Sequence, residues 1–214
     1  MTLTTLVTRL QTQPLSLRQL LAYPIPTHIL QRFACACADR ALDATRKLQM
    51  EPDPRCWRAL TLAQDWLEDN ASEDDLAEAR VLATDAFVNV ARRVRTTSMH
   101  MRAASARAFG ATHNALESFY QTTHLHNVII ATSKRSIEAA QIIAFNLSEY
   151  HATSDELLYV EQLELQWQRQ HMFSLLSSLL QQRERLHTLL TIRHHRLDQQ
   201  IQHATSQWEG VLFG

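Results

Sequence analysis

Three glycines in a chain of 214 residues restrict the folds open to this sequence more than any other feature. Average usage would supply about 15 glycines in a chain of this length. All-β folds need glycine for tight turns, and phosphate-binding loops need it where the backbone closely approaches a ligand. Hydrophobic residues still make up 45% of the chain, so a core can form. We therefore predict an all-α protein and exclude the nucleotide sites that are built from glycine.

Local start signals divide the chain into successive helices. Ser16 and Gln19 have the spacing of a capping box, in which two side chains satisfy free N–H groups at a helix start, and so do Thr153 and Glu156. Asp53-Pro54 combines an N-cap with proline at the first helical position. The predicted architecture is a multi-helix bundle or an orthogonal helical array with a long C-terminal helix or helical hairpin.

The C-terminal part of the chain contains an apolar heptad repeat. Its members recur every seven residues and are Leu158, Leu165, Met172, Leu179 and Leu186. This stripe predicts either packing on the rest of the chain or a dimer seam. One helix over 155–209 would be about 80 Å long, so it either breaks near 187–195 or projects as an arm. We expect one structural domain, with an Ala-rich helical bundle over 1–150 and a helical segment over 151–214 packed on it or mediating dimerisation.

Charge is distributed unevenly, although the net charge is only -1. Residues 51–80 hold nine acids and three arginines, whereas residues 91–110 hold five arginines and no acid. The low net charge gives no general attraction to nucleic acid, so a nucleic-acid partner is not expected. The acidic segment either matches helix dipoles or contacts a protein partner. The residues assigned to that contact are Glu68, Asp69, Glu73, Asp74 and Asp75.

Two histidine–glutamate pairs raise the alternative of a metal site. His113 and Glu117 share a helical face at i, i+4, and Glu184 and His187 have the i, i+3 spacing of di-metal bundles. Those bundles need that motif on two helices, and it occurs once here. We therefore predict no catalytic residues and no cofactor. A metal-binding bundle or an enzyme that uses these four residues is the alternative.

The cysteine pattern and hydropathy bear on location. The chain has three cysteines, an odd number, at Cys35, Cys37 and Cys56. Cys35 and Cys37 are two residues apart, so they cannot face the same way on a helix. A disulfide framework is therefore not expected. The N-terminal residues lack the apolar region of a signal peptide, and the longest aliphatic run is Val128–Ile130. We expect a cytoplasmic protein without membrane association.

Several segments resemble a family of bacterial immunity proteins that accompany polymorphic toxins. The matching segments span about 33–180 and are Phe33–Leu42, Asp53–Arg55, Ala63–Trp66, Leu76–Arg80, Ala103–Ala108, Gly110–His113, Leu163–Gln168 and Leu175–Leu176. The resemblance implies an all-α domain that binds a protein and does not catalyse a reaction. We therefore expect a non-enzymatic helical protein-binding module, specifically an antitoxin-like immunity protein with a toxin domain as its partner. The alternatives are the metal-binding bundle and a structural homodimerisation module.

Overall fold

The computed structural model confirms the all-α prediction. It describes residues 3–13, 15–49, 51–93 and 99–213, with side chains omitted at 91–93, 100, 198 and 200–213. Within these ranges there are eight helices and no strand. The helices are α1 (Leu3–Thr12), α2 (Leu17–Leu21), α3 (Thr27–Arg46), α4 (Pro54–Leu67), α5 (Glu73–Arg93), α6 (Met99–Glu117), α7 (Leu125–Leu147) and α8 (Ser154–Phe213).

Helix α3 lies at the centre of the helical array. It contacts α4, α6, α7 and α8, while α4 to α8 also pack against one another in chain order. Its fully buried face carries Leu30, Phe33, Ala34, Cys37 and Ala41. Alanine and cysteine side chains are small, so neighbouring helices can approach α3 closely on several sides. The core is therefore built around one helix rather than between two layers.

The predicted helix starts are present as hydrogen-bonded caps. Ser16 Oγ accepts a hydrogen bond from the Gln19 N–H at 3.3 Å, and the Asp53 carboxylate accepts one from the Arg55 N–H at 3.0 Å. Thr153 Oγ1 likewise accepts from the Glu156 N–H at 3.2 Å. These interactions are local in sequence, so the residue types alone were sufficient to predict them.

The helix ends show how the chain manages without glycine. Helices often end in a left-handed residue, which is usually glycine because a side chain costs about 1–2 kcal/mol in that conformation. Here non-glycine residues with positive φ follow α3, α4 and α7, namely Gln49 (56°), Asp69 (60°), Glu149 (53°) and Tyr150 (71°). The Tyr150 N–H donates to the Phe145 carbonyl at 3.1 Å, which closes the end of α7. Three helix ends therefore carry backbone strain.

Helix α8 is continuous over 60 residues, without a break near 187–195 and without a hairpin. At 1.5 Å per residue it is about 90 Å long. Its first half packs against α1, α3 and α7, and Met172 and Leu176 are fully buried there. From Gln181 to Leu197 every side chain is exposed. We refer to residues 181–213 as the arm.

The strained end of α7 yields a stability prediction. Replacing the exposed Glu149 with glycine removes the Cβ that disfavours its positive φ. Glu149→Ala is the matched control, because it also removes the charge but retains the Cβ. We expect Glu149→Gly to exceed Glu149→Ala in free energy of unfolding by about 1 kcal/mol. Urea denaturation measures the difference, and equal stabilities would contradict a strained helix end.

Candidate functional site

A buried carboxylate fixes α8 on the bundle. Glu164 is only 3% exposed. Its carboxylate accepts hydrogen bonds from Arg40 Nε of α3 at 2.6 Å and from Ser136 Oγ of α7 at 2.9 Å. A buried charge is tolerated only where donors replace its lost hydration. The rotation of α8 about its axis is therefore constrained by two other helices.

One turn further along α8, Gln168 repeats this attachment. Its Oε1 accepts from Ser133 Oγ at 2.6 Å, and its Nε2 donates to the Ser133 carbonyl at 3.3 Å. Residues four apart on a helix share a face, so Glu164 and Gln168 point toward α7 together. We call Glu164, Gln168 and their partners Arg40, Ser133 and Ser136 the polar anchor.

Aromatic stacking extends the polar anchor along α8. The Arg40 guanidinium lies 4.4 Å from the centre of the Trp167 ring, and Trp167 stacks on His171 with 5.2 Å between ring centres. Burial lowers the pKa of His171. A polar cleft of about 430 Å³ opens beside these residues. The charged groups that face it from α3 include Asp39, whose pKa is raised by burial.

The cysteines are placed unfavourably for nucleophilic chemistry. All three are buried, and none is in a disulfide. Burial raises the pKa of Cys35 to about 12. Burial also raises the pKa of Cys37 well above its ordinary value, and the nearby Glu164 carboxylate adds to that rise. Because the thiolate is the reactive form of cysteine, both thiols are held in their unreactive state.

The first histidine–glutamate pair contacts α5. Glu117 accepts from Arg80 Nε at 2.6 Å and from Arg80 Nη2 at 3.0 Å. Burial alone would raise the pKa of Glu117, but the Arg80 guanidinium holds it below its ordinary value. His113 Nδ1 lies 3.2 Å from Thr84 Oγ1, and its ring stacks on Phe87. Burial lowers the pKa of His113.

The second pair lies far along the chain on the arm. Glu184 and His187 are both exposed there, so the structure does not bring them together with His113 and Glu117. Among the residues that the structure describes, no three His, Cys, Asp or Glu side chains form a group that could hold a metal ion. In the first pair, Glu117 forms an ion pair with Arg80. In the second pair, Glu184 and His187 lie on an exposed helix face.

Three of the five acidic residues assigned to a partner contact have local structural roles. The segment consists of Glu68, Asp69, Glu73, Asp74 and Asp75. Glu68 pairs with Arg32 at 3.5 Å, and Asp69 adopts the positive φ that ends α4. Asp75 accepts from Ser72 Oγ at 2.6 Å and from its N–H at 2.9 Å, which lowers the pKa of Asp75. Glu73 and Asp74 are exposed in the first turn of α5, and a partner contact through them stays a prediction.

The heptad stripe divides between two environments. Met172 is fully buried and Leu179 packs partly against the core, whereas Leu158, Leu165 and Leu186 are 51%, 39% and 59% exposed. A straight α-helix rotates a heptad position by about 20° per repeat, so the stripe turns away from the bundle at both ends. The middle of the stripe packs within the chain, and pairing of its exposed members with a second chain stays a prediction.

The arm exposes large apolar side chains that no other described part of the chain covers. Its large apolar residues are 45–62% exposed and are Leu186, Leu189, Leu190, Ile192 and Leu197. Four arginines and two acids give residues 181–199 a net charge of +2, and three histidines lie among them. Exposed large apolar side chains concentrated on one helical segment are typical of interaction sites. The arm is therefore the strongest candidate for a functional surface.

Comparisons with known proteins add no relative. No protein-family model matches the chain, and neither the curated proteins nor the solved structures give a match. The resemblance to immunity proteins therefore stays a prediction. In the part of the chain that the structure describes, no helix combines the length and apolarity needed to cross a membrane.

The polar anchor yields a second stability prediction. Glu164→Gln keeps an acceptor for Ser136 but removes the charge that Arg40 faces, so we expect a loss of about 2 kcal/mol in free energy of unfolding. Glu161→Gln on the same helix is the control, because Glu161 is only half-buried and accepts from the neutral Gln141. Its cost should stay below about 0.5 kcal/mol. Urea denaturation compares the two, and equal losses would mean that Glu164 has no special role.

Proposed function

We propose that this chain is a non-enzymatic helical protein-binding module whose arm docks onto an acidic protein partner. The observation that carries the proposal is the row of exposed large apolar side chains from Leu186 to Leu197. Water contact with such residues is unfavourable, at about 25 cal/mol for each Å² of apolar surface. A partner that covers them gains this free energy, and the helical arm presents them at fixed spacing.

The charges of the arm favour an acidic partner over a second copy of the chain. Four arginines and only two acids lie in the same stretch of sequence as the apolar residues. The arginines are Arg183, Arg185, Arg193 and Arg196, and the acids are Glu184 and Asp198. Two arms in parallel register would place Arg193 opposite its own counterpart, which is repulsive. An acidic amphipathic surface would instead gain both apolar contact and charge complementarity.

The proposed binding function requires no cofactor. The proposal also includes a cellular location and a biological role for the protein. The three cysteines are buried without a disulfide, as is usual in reducing compartments, and this supports a cytoplasmic location. An immunity protein that binds a toxin domain is one specific form of a protein-binding module. The resemblance over 33–180 supports that form.

Two synthetic peptides test the docking proposal. Both form amphipathic helices with the same leucine stripe, flanked by glutamates in one and by lysines in the other. Fluorescence anisotropy measures their binding to the full chain. We expect the acidic peptide to bind at least about tenfold more tightly, with an affinity that falls as salt is added. Equal binding of the two peptides, or no binding of either, would contradict the proposal.

Matched variants locate the binding surface. A triple variant with serine at Leu186, Leu189 and Leu190 removes apolar surface from the arm, and its bundle should fold normally because these residues are exposed. Leu158→Ser with Leu163→Ser removes exposed leucines from the other end of α8. We expect only the first variant to lose the acidic peptide. Sedimentation velocity measures the oligomeric state of the chain without a partner. A dimer that forms in the unmodified chain and is lost in the triple variant would contradict the proposal.

A further inference from the structure

A small apolar slot opens between α2, α3 and α8, away from the arm. Its volume is about 220 Å³. The apolar side chains that line it are Leu15, Leu17, Leu20, Phe33, Leu165 and Met172. An apolar cavity of about 150 Å³ is large enough to bind benzene. The slot can therefore hold a body of about six to eight carbon atoms.

Arg169 is the polar residue in this slot that lacks a partner. Three polar side chains line it, and two are engaged: Ser16 with Gln19, and Gln168 with Ser133. Arg169 Nε is buried from solvent and has no hydrogen-bond acceptor among the described residues. A buried N–H group without an acceptor costs free energy that a ligand oxygen would recover.

The absence of an acid beside Arg169 contrasts with the ion pairs that Arg40 and Arg80 form with buried or half-buried glutamates. Arg40 and Arg80 each face a glutamate at 2.6 Å. No ion pair joins Arg169 to a described carboxylate within 4.0 Å. An apolar wall beside a guanidinium that has no ion-pair partner among the described residues is an arrangement that suits an amphipathic anion.

We propose that this slot is a binding site for a small apolar monocarboxylate, with Arg169 holding its carboxylate. The planar guanidinium edge matches a carboxylate and can donate two hydrogen bonds to it. One guanidinium balances one negative charge, so a monocarboxylate fits better than a phosphate dianion. The aliphatic or aromatic body of the ligand lies against Phe33, Leu20 and Met172. This inference is independent of the proposed role of the arm.

Three probes of equal chain length test the charge requirement. Octanoate, 1-octanol and octylamine are titrated into the full chain by isothermal calorimetry, and their effects on the melting temperature are recorded. A ligand that binds only the native state raises that temperature. We expect octanoate to bind at least about tenfold more tightly than 1-octanol and octylamine to bind least, because only octanoate pairs with a guanidinium. No measurable binding of octanoate at millimolar concentration, or equal binding of octanoate and 1-octanol, would overturn the proposal.

Two pairs of variants locate the site. Arg169→Leu should abolish the preference for octanoate, whereas Arg183→Leu on the exposed arm should retain it. Leu165→Trp should fill the slot and block both octanoate and 1-octanol, whereas Leu163→Trp, outside the slot, should not. A preference for octanoate that persists in Arg169→Leu would overturn the assignment. If Arg169→Leu does not fold, the three probes and the tryptophan pair still decide the outcome.

Discussion

The burial of Glu164 is the constraint on which the rest of this structure depends. A carboxylate that is 3% exposed must keep both Arg40 and Ser136, so α8 has one rotation and one position against α3 and α7. Gln168 repeats the requirement one turn later. Because α8 continues without a break, its orientation at the polar anchor also sets the direction of the arm. Core packing of Met172 and Leu176 alone would allow α8 to slide, since apolar contacts are not directional.

Local signals in the sequence were sufficient for the fold class and the helix starts. The caps at Ser16, Asp53 and Thr153 involve residues within a few positions of one another, so their residue types predicted them. The shortage of glycine predicted the absence of glycine-built sites, but not that Asp69 and Glu149 would end helices with positive φ. That outcome depends on how the next helix packs, which no local pattern contains.

The polar anchor and the path of α8 could not be predicted, because their contacts join distant parts of the chain. Glu164 lies 124 residues from Arg40, and an isolated glutamate in a heptad pattern normally indicates an exposed face. Spacing alone also does not distinguish a metal site from a structural contact. An i, i+4 pair such as His113 and Glu117 can serve either as a ligand pair or as contacts with a neighbouring helix. Here Glu117 forms an ion pair with Arg80. The described groups without a partner in the chain include the apolar side chains of the arm and the Arg169 Nε–H group, and both proposals rest on these two.

Small-angle X-ray scattering tests most directly whether the polar anchor directs α8 outward as one continuous helix. The measurement is made over a range of protein concentrations, so that the dimensions of the single chain are separated from those of any assembly. A continuous helix of 60 residues predicts a maximum dimension of about 90 Å or more. A chain of this length that folded its C-terminal segment back onto the bundle would have a radius of gyration of about 17 Å. Scattering that matches this compact value, with no dimension near the length of α8, would contradict the projecting arm.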